Sequence, residues 1–208
     1  MYRSAAALLM VLLAGAGLGG SARSQGDGPI DEATRDPALV EARGRFINAL
    51  ETGSEAALRS LLHPEIGVGN GGEGPDDLVE LLRERPSFVG DYVAILRLGG
   101  RFAAPDLFLA PHTAKPSYGD ADESRLFARR PGVSVRAAPR ADAPVVRALG
   151  HAVVEAKFDE AHEKQGWIQV VGPQGYAGYV RMEDVFFVGQ IFIHFRKVGE
   201  RWLVVRAY

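Results

Sequence analysis

Two spacings of apolar residues divide the chain. Up to about residue 100, apolar residues recur every three or four positions, as in helices that bury one face. After Glu123, apolar and polar residues alternate, as in strands covered on one side. The pattern predicts an α+β protein with an N-terminal helical segment and a strand-rich remainder.

Capping residues predict four short helices in the first segment. Asp36 is a good N-cap, and Pro37 suits the first helical position because its missing N–H is not needed there. Helices this short are marginal in water, so we expect them to share a partner surface. The predicted helices occupy residues 36–53, 54–64, a segment from 75 onward, and 87–98.

The rest of the first segment shows no regular period. Residues 67–74 are rich in glycine and lack the Gly-Lys-Ser/Thr ending of a phosphate-binding loop, so we expect a surface loop. Residues 101–122 contain scattered prolines, glycines and aromatics, which predicts an irregular connector. We therefore predict a helical region with this connector over residues 36–122. The end of the chain, residues 188–208, alternates around a Gly-Glu turn and predicts a β-hairpin that packs on the helical region.

The N-terminus has the layout of a secretory signal peptide over residues 1–22. Arg3 is followed by an apolar stretch from Ala5 to Leu18 and by small residues at a cleavage point. The stretch is short for a membrane span, although an uncleaved anchor remains the alternative. We expect a periplasmic or secreted protein with no stable membrane insertion after cleavage, and a flexible leader over residues 23–35.

Composition narrows the range of partners and reactions that the chain could support. The chain has 208 residues, a formal net charge of −2 and no cysteine. Mixed charges near neutrality argue against a nucleic-acid partner, and the missing cysteines exclude a thiol nucleophile. No histidines have metal-ligand spacing, so we expect no metal site. We also expect no cofactor and no catalytic residues.

Three short motifs punctuate the alternating segment: Val-Ser-Val-Arg at 133–136, Gly-Trp-Ile-Gln-Val at 166–170 and Gly-Tyr-Val at 178–180. In this order they resemble the bacterial SH3 domain, over about residues 126–185. The resemblance implies a small five-stranded β-barrel, which we place at residues 123–187. It also implies an exported protein of the bacterial cell envelope.

The same resemblance implies a non-catalytic binding module that recognises a peptide, a protein or peptidoglycan. The candidate ligand-binding residues are Arg136, Trp167, Tyr176 and Tyr179. Tyrosine and tryptophan offer rigid apolar faces with a polar tip, and an arginine pairs well with a carboxylate. Trp167 is equally suited to the core of a small barrel.

Two alternatives remain open. Residues 45–63 and the final hairpin resemble nuclear-transport-factor-like cones, in which helices cover a curved sheet. The SH3-like segment would then be an insertion, and a small-ligand pocket would lie between the helices and the hairpin. Its lining would be Phe46, Leu62, Tyr92, Phe192 and Trp202. The less favoured alternative is the targeting part of a cell-wall hydrolase.

Overall fold

The computed structural model describes residues 31–69, 71–114 and 122–208. The predicted signal peptide lies outside these residues, as does most of the predicted leader. The end of that leader, Glu32–Arg35, forms a single 3-10 turn with Ala33 buried, so this part is structured. Within the described ranges, no helix is both long and apolar enough to cross a membrane.

The described chain is α+β, with two large sheets and few helices. The helices are α1 (Pro37–Thr52), α2 (Glu55–Arg59), α3 (Pro75–Glu84), α4 (Ser87–Arg97) and α5 (Glu160–Glu163). The strands are β1 (Leu62–Val68), β2 (Gly72–Glu73), β3 (Arg101–Ala104), β4 (Leu107–Ala110), β5 (Asp122–Ala128), β6 (Val133–Arg136), β7 (Val145–Leu149), β8 (Val154–Lys157), β9 (Trp167–Val171), β10 (Ala177–Arg181), β11 (Val185–Val188), β12 (Ile193–Val198) and β13 (Arg201–Ala207).

The first helix forms as the capping residues predict. The Asp36 side chain accepts hydrogen bonds from the backbone N–H groups of Ala38 (3.0 Å) and Leu39 (3.3 Å). Gly53 ends the helix with φ at 65°, a left-handed conformation that favours glycine. The second helix is shorter than predicted, since it ends at Arg59 and the chain then enters β1.

The first sheet has the strand order β2-β1-β13-β12-β4-β3. Strand β1 runs parallel to β13, and the other neighbouring pairs are antiparallel. Pro64 lies in β1 where the ladder with β13 is irregular, which suits a residue without an N–H. The predicted irregular connector is wrong for its first half, because β3 and β4 pair there. The pattern was missed because each strand has four residues and a bulge interrupts the pair.

The second sheet corrects the predicted barrel. It has seven strands in the order β11-β5-β8-β9-β10-β6-β7, whereas the resemblance implied five in a closed barrel. Among the described strands, β7 and β11 are edges that do not pair with each other. The sheet extends to β11 because β5 pairs with β8 on one side and with β11 on the other. Its segment lies between β4 and β12, which are neighbours in the first sheet.

The helices pack on the first sheet around large aromatic rings. Phe46 of α1 meets Phe195 of β12 edge to face, with ring centroids 6.0 Å apart. The Trp202 ring of β13 meets the Phe102 ring edge to face, with centroids 5.9 Å apart. The hairpin of β12 and β13 turns at Gly199-Glu200 as predicted, but Val188 belongs to the second sheet.

Asp36 also ties α1 to this hairpin. Its carboxylate accepts hydrogen bonds from the Trp202 indole N–H (3.0 Å) and the Lys197 ammonium (3.1 Å). Burial disfavours the charged carboxylate, but these hydrogen bonds outweigh it and hold the pKa of Asp36 below its ordinary value of 3.8. One carboxylate therefore caps the helix and fastens it to the sheet.

We expect Asp36→Ala to lower the free energy of unfolding by about 2–3 kcal/mol, because it removes an N-cap and two hydrogen bonds to a charged group. Asp159→Ala is the matched control. Asp159 caps α5 through two similar bonds, from the N–H groups of Ala161 (3.0 Å) and His162 (3.2 Å), on an exposed loop. Its loss should cost no more than about 1 kcal/mol in urea unfolding.

The contribution of Asp36 should also depend on pH. Since folding lowers the pKa of this carboxylate, its stabilisation is complete above the unfolded pKa of 3.8 and is lost as the pH falls through the folded pKa. The stability gap between the parent protein and Asp36→Asn should therefore shrink in acid. Equal losses for Asp36→Ala and Asp159→Ala, or a gap that does not change with pH, would contradict this role.

Candidate functional site

A cleft of about 550 Å³ lies between α3, α4 and the end of the second sheet. About half of its wall is apolar, and polar groups lie among the apolar ones. The apolar side chains are Leu81, Phe88, Met182, Val185, Phe186, Phe187 and Ile191. The other lining residues are Gly69, Arg85, Asp91, Arg129, Gln190 and Tyr208.

Helix α4 supplies one wall. Phe88 and Asp91 are three residues apart, so they share a face of the helix. The Phe88 ring stacks on that of Tyr92, with centroids 5.6 Å apart. The Arg85 guanidinium lies 5.9 Å from the Phe88 centroid and is exposed at the edge of the cleft.

Arg129 joins this wall to the second sheet. Its guanidinium forms an ion pair with Asp91 and lies 4.1 Å above the Phe186 ring. The two charged side chains are only 30% and 21% exposed. Burial lowers the pKa of Arg129, the nearby Asp184 opposes this, and an arginine still remains charged at neutral pH.

Strand β11 supplies the opposite wall through Phe186 and Phe187. The Phe186 ring packs on the Phe127 ring of β5, with centroids 5.5 Å apart, and this contact supports Phe186 on the side away from the cleft. Phe187 stacks on Phe158 at 6.1 Å with the rings nearly parallel. Since Phe158 is 52% exposed, the aromatic surface extends from the cleft to the outside of the protein.

None of the four ligand-binding residues predicted from sequence lines this cleft. Arg136 and Tyr179 lie opposite each other on β6 and β10, and Trp167 lies on β9 opposite Arg181. Tyr176 is set apart at the turn before β10, where it packs on the core of the second sheet. The structure therefore groups Arg136, Trp167 and Tyr179 on one sheet and leaves Tyr176 outside that group.

The residues predicted to line a pocket between helices and hairpin are packed in the interior. Each is at most 5% exposed: Phe46, Leu62, Tyr92, Phe192 and Trp202. Phe192 belongs to a small separate cluster with Leu109 and Ala114. The cleft was missed because its central ion pair joins residues 91 and 129, and no local spacing signals such a contact.

Tyr92 carries a buried hydroxyl behind the cleft. The described residues provide no hydrogen-bond partner for its oxygen, and burial raises its pKa far above the ordinary value of 10.0. An unsatisfied buried hydroxyl destabilises the folded state. Its removal should therefore be tolerated or favourable.

We expect Tyr92→Phe to raise the free energy of unfolding by about 1 kcal/mol, because the substitution deletes only the unsatisfied hydroxyl. Tyr179→Phe is the control: this side chain is half-buried, and its hydroxyl should contribute little. Chemical denaturation measures both. A loss of stability in Tyr92→Phe would show that its hydroxyl has a partner and would contradict the assignment.

Comparisons with known proteins place the chain in no family. No family model matches it, and neither does any curated protein. Among solved structures, it is similar to an NTF-2-like protein of unknown function from Shewanella oneidensis MR-1, at 9% identity and a TM-score of 0.32, over 82% of this chain and 93% of that one. It is also similar to a delta 5-3-ketosteroid isomerase from Mycobacterium sp., at 12% identity and a TM-score of 0.27, over 81% and 90%.

The structure corrects the sequence-based resemblance. The strands of the presumed barrel form an open seven-stranded sheet and not a closed five-stranded barrel. The prediction of a bacterial SH3 domain is therefore wrong. Nothing supports the peptidoglycan recognition that it implied.

Proposed function

We propose that this protein binds a small, largely apolar molecule with one anionic group in the cleft between α3, α4 and β11. The observation that carries the proposal is an aromatic cleft whose wall contains a partly buried arginine, Arg129, stacked on Phe186. The proposal corresponds to the small-ligand alternative from the sequence, at a different place in the fold.

The size and lining of the cleft suit such a ligand. Small-molecule sites are concave, measure about 300–1,000 Å³, and combine an apolar wall with a few polar groups. This cleft has a volume of about 550 Å³ and seven apolar side chains in its wall. Phe186 and Phe187 would contact the apolar body of the ligand.

The charges favour an anion. Two arginines, Arg85 and Arg129, line the cleft against one aspartate, Asp91, so the lining side chains carry a formal charge of +1. Arg129 is held in place by Asp91, so it is ordered before any ligand arrives. Arg85 is exposed at the edge and is free to pair with an anion on the ligand.

The polar groups of the cleft support binding more than catalysis. General acid–base chemistry needs a titratable group that can exchange a proton near neutral pH. The carboxylate among the described lining side chains, that of Asp91, is occupied by its ion pair with Arg129. We therefore propose a binding protein and assign no catalytic residue.

Binding can be tested with 1-anilinonaphthalene-8-sulfonate, which is apolar and anionic, by isothermal titration calorimetry. Gln190→Trp should place a large ring in the cleft and weaken the affinity by about tenfold, or about 1.4 kcal/mol. Gln165→Trp is the matched control, since Gln165 is exposed on a loop outside the cleft. It should leave the affinity unchanged.

The contribution of the Arg85 charge to dye binding is tested by Arg85→Gln. This variant should weaken binding about two- to fivefold, as expected for an exposed charge. Arg45→Gln, on the exposed side of α1, is its control. Saturable binding that is unaffected by Gln190→Trp would place the dye elsewhere. The absence of saturable binding to the parent protein would also refute the proposal.

A further inference from the structure

A second cleft lies on the outer face of the second sheet. Residues on β6, β9 and β10 alternate between the sheet core and this face. The ladder sets Tyr179 opposite Arg136, and Arg181 opposite Trp167. The outer face therefore groups two arginines with two aromatic rings across three adjacent strands.

These strands form the floor of a cleft of about 190 Å³. Its lining includes Arg130, Ser134, Arg136, Trp167, Arg181 and Asp184. It shares no lining residue with the larger cleft. A volume of this size admits a small group such as a carboxylate or a phosphate.

Two of its arginines are held in place by the protein. The Arg181 guanidinium lies 4.9 Å from the centroid of the Trp167 ring, which is itself only 4% exposed. The Arg136 guanidinium donates a hydrogen bond to the backbone carbonyl of Ala143 (2.8 Å). A guanidinium has five N–H donors, so this bond leaves most of those on Arg136 for other acceptors.

Gly178 allows β10 and β6 to approach closely beneath the cleft. A Cβ atom at this position would lie 2.6 Å from the carbonyl oxygen of Arg136 and from a methyl group of Val135. No side chain fits in that space. The glycine of the Gly-Tyr-Val motif therefore keeps Arg136 and Tyr179 side by side.

The side chains of this cleft carry a net positive charge, whereas the whole chain carries a net negative one. Three arginines face one aspartate, a formal charge of +2, while the whole chain carries −2. Asp184 is paired with Arg130 at 2.9 Å. Arg181 makes only a long ion pair, from its Nε to Glu183 at 3.9 Å, so Arg136 and Arg181 are the cations best placed for an incoming group.

We propose that this cleft binds a small oxyanion, a carboxylate or phosphate group, between Arg136 and Arg181. Arginine forks match the geometry of both groups and make charge-assisted hydrogen bonds to them. The stacking of Arg181 on Trp167 fixes its plane, so less side-chain entropy is lost on binding. The proposal does not depend on what the larger cleft binds.

The test is a titration followed by NMR of the indole N–H groups. Trp167 lines the cleft, whereas Trp202 is buried in the first sheet and serves as an internal reference. Inorganic phosphate and succinate are added separately, each against sodium chloride at the same ionic strength. We expect a saturable shift of the Trp167 signal with one or both anions and none at Trp202.

Three variants locate the binding. Arg181→Gln and Arg136→Gln should each weaken it by about tenfold or more, as expected for loss of a hydrogen bond to a charged group. Arg147→Gln is the matched control, because Arg147 stacks on Tyr176 at 4.8 Å in the same way but outside the cleft. It should leave the affinity unchanged. Should Arg136→Gln unfold, Arg136→Lys keeps the charge without the fork and should still weaken binding.

The two anions distinguish the source of the oxyanion. A response to phosphate alone assigns the cleft to phosphate groups, and a response to succinate alone assigns it to carboxylates. A shift of equal size with chloride would overturn the proposal, because it would reflect only screening. Equal weakening in Arg147→Gln and Arg181→Gln, or no saturable shift with either anion, would overturn it as well.

Discussion

The ion pair between Asp91 and Arg129 links helix α4 to the second sheet. Asp91 belongs to helix α4, and Arg129 directly follows β5 of the second sheet. Because both side chains are largely shielded from water, loss of either one would leave a poorly solvated charge behind. The Arg129 backbone N–H also donates to the carbonyl of Asp184 (2.9 Å), so the same residue holds the turn that leads into β11. The larger cleft is bounded by the groups that this pair positions.

Apolar packing supports the same junction. Phe127 of β5 and Phe186 of β11 belong to the core beneath the helices, although both lie in the second sheet. Other residues of β5 and β11 join the remaining strands of that sheet in a separate cluster of aliphatic side chains. The second sheet is therefore anchored to the helices through β5 and β11. The larger cleft lies at this junction, and the smaller one lies on the outer face of β6, β9 and β10.

Local signals predicted the local structure well. Asp36, Pro37 and Gly53 defined the first helix, and period-two alternation located most of the strands. The same alternation gathered Arg136, Trp167 and Tyr179 on one sheet, because side chains on alternate positions share a face. Tyr176 falls outside this group because it precedes the strand, where the period no longer applies. These elements depend only on neighbouring residues.

The architecture could not be read in the same way. Whether seven strands close into a barrel depends on pairings between distant segments, such as that of β5 with both β8 and β11. Motifs in the right order suggested a familiar barrel, but motif order does not determine sheet closure. The larger cleft depends on the contact between Asp91 and Arg129, whose partners are far apart in sequence. Contacts of this kind are set by the tertiary fold and leave no periodic pattern.

A double-mutant cycle on Asp91 and Arg129 tests the junction most directly. Free energies of unfolding are measured by urea denaturation for Asp91→Ala, Arg129→Ala and the double variant. A parallel cycle on the exposed helical pair Glu160 and Lys164 provides the reference. We expect a coupling energy of about 1–2 kcal/mol for the junction pair and about 0.5 kcal/mol or less for the reference. Additive losses of unfolding free energy at Asp91 and Arg129 would contradict the account, since helix α4 and the second sheet would then be joined without this pair.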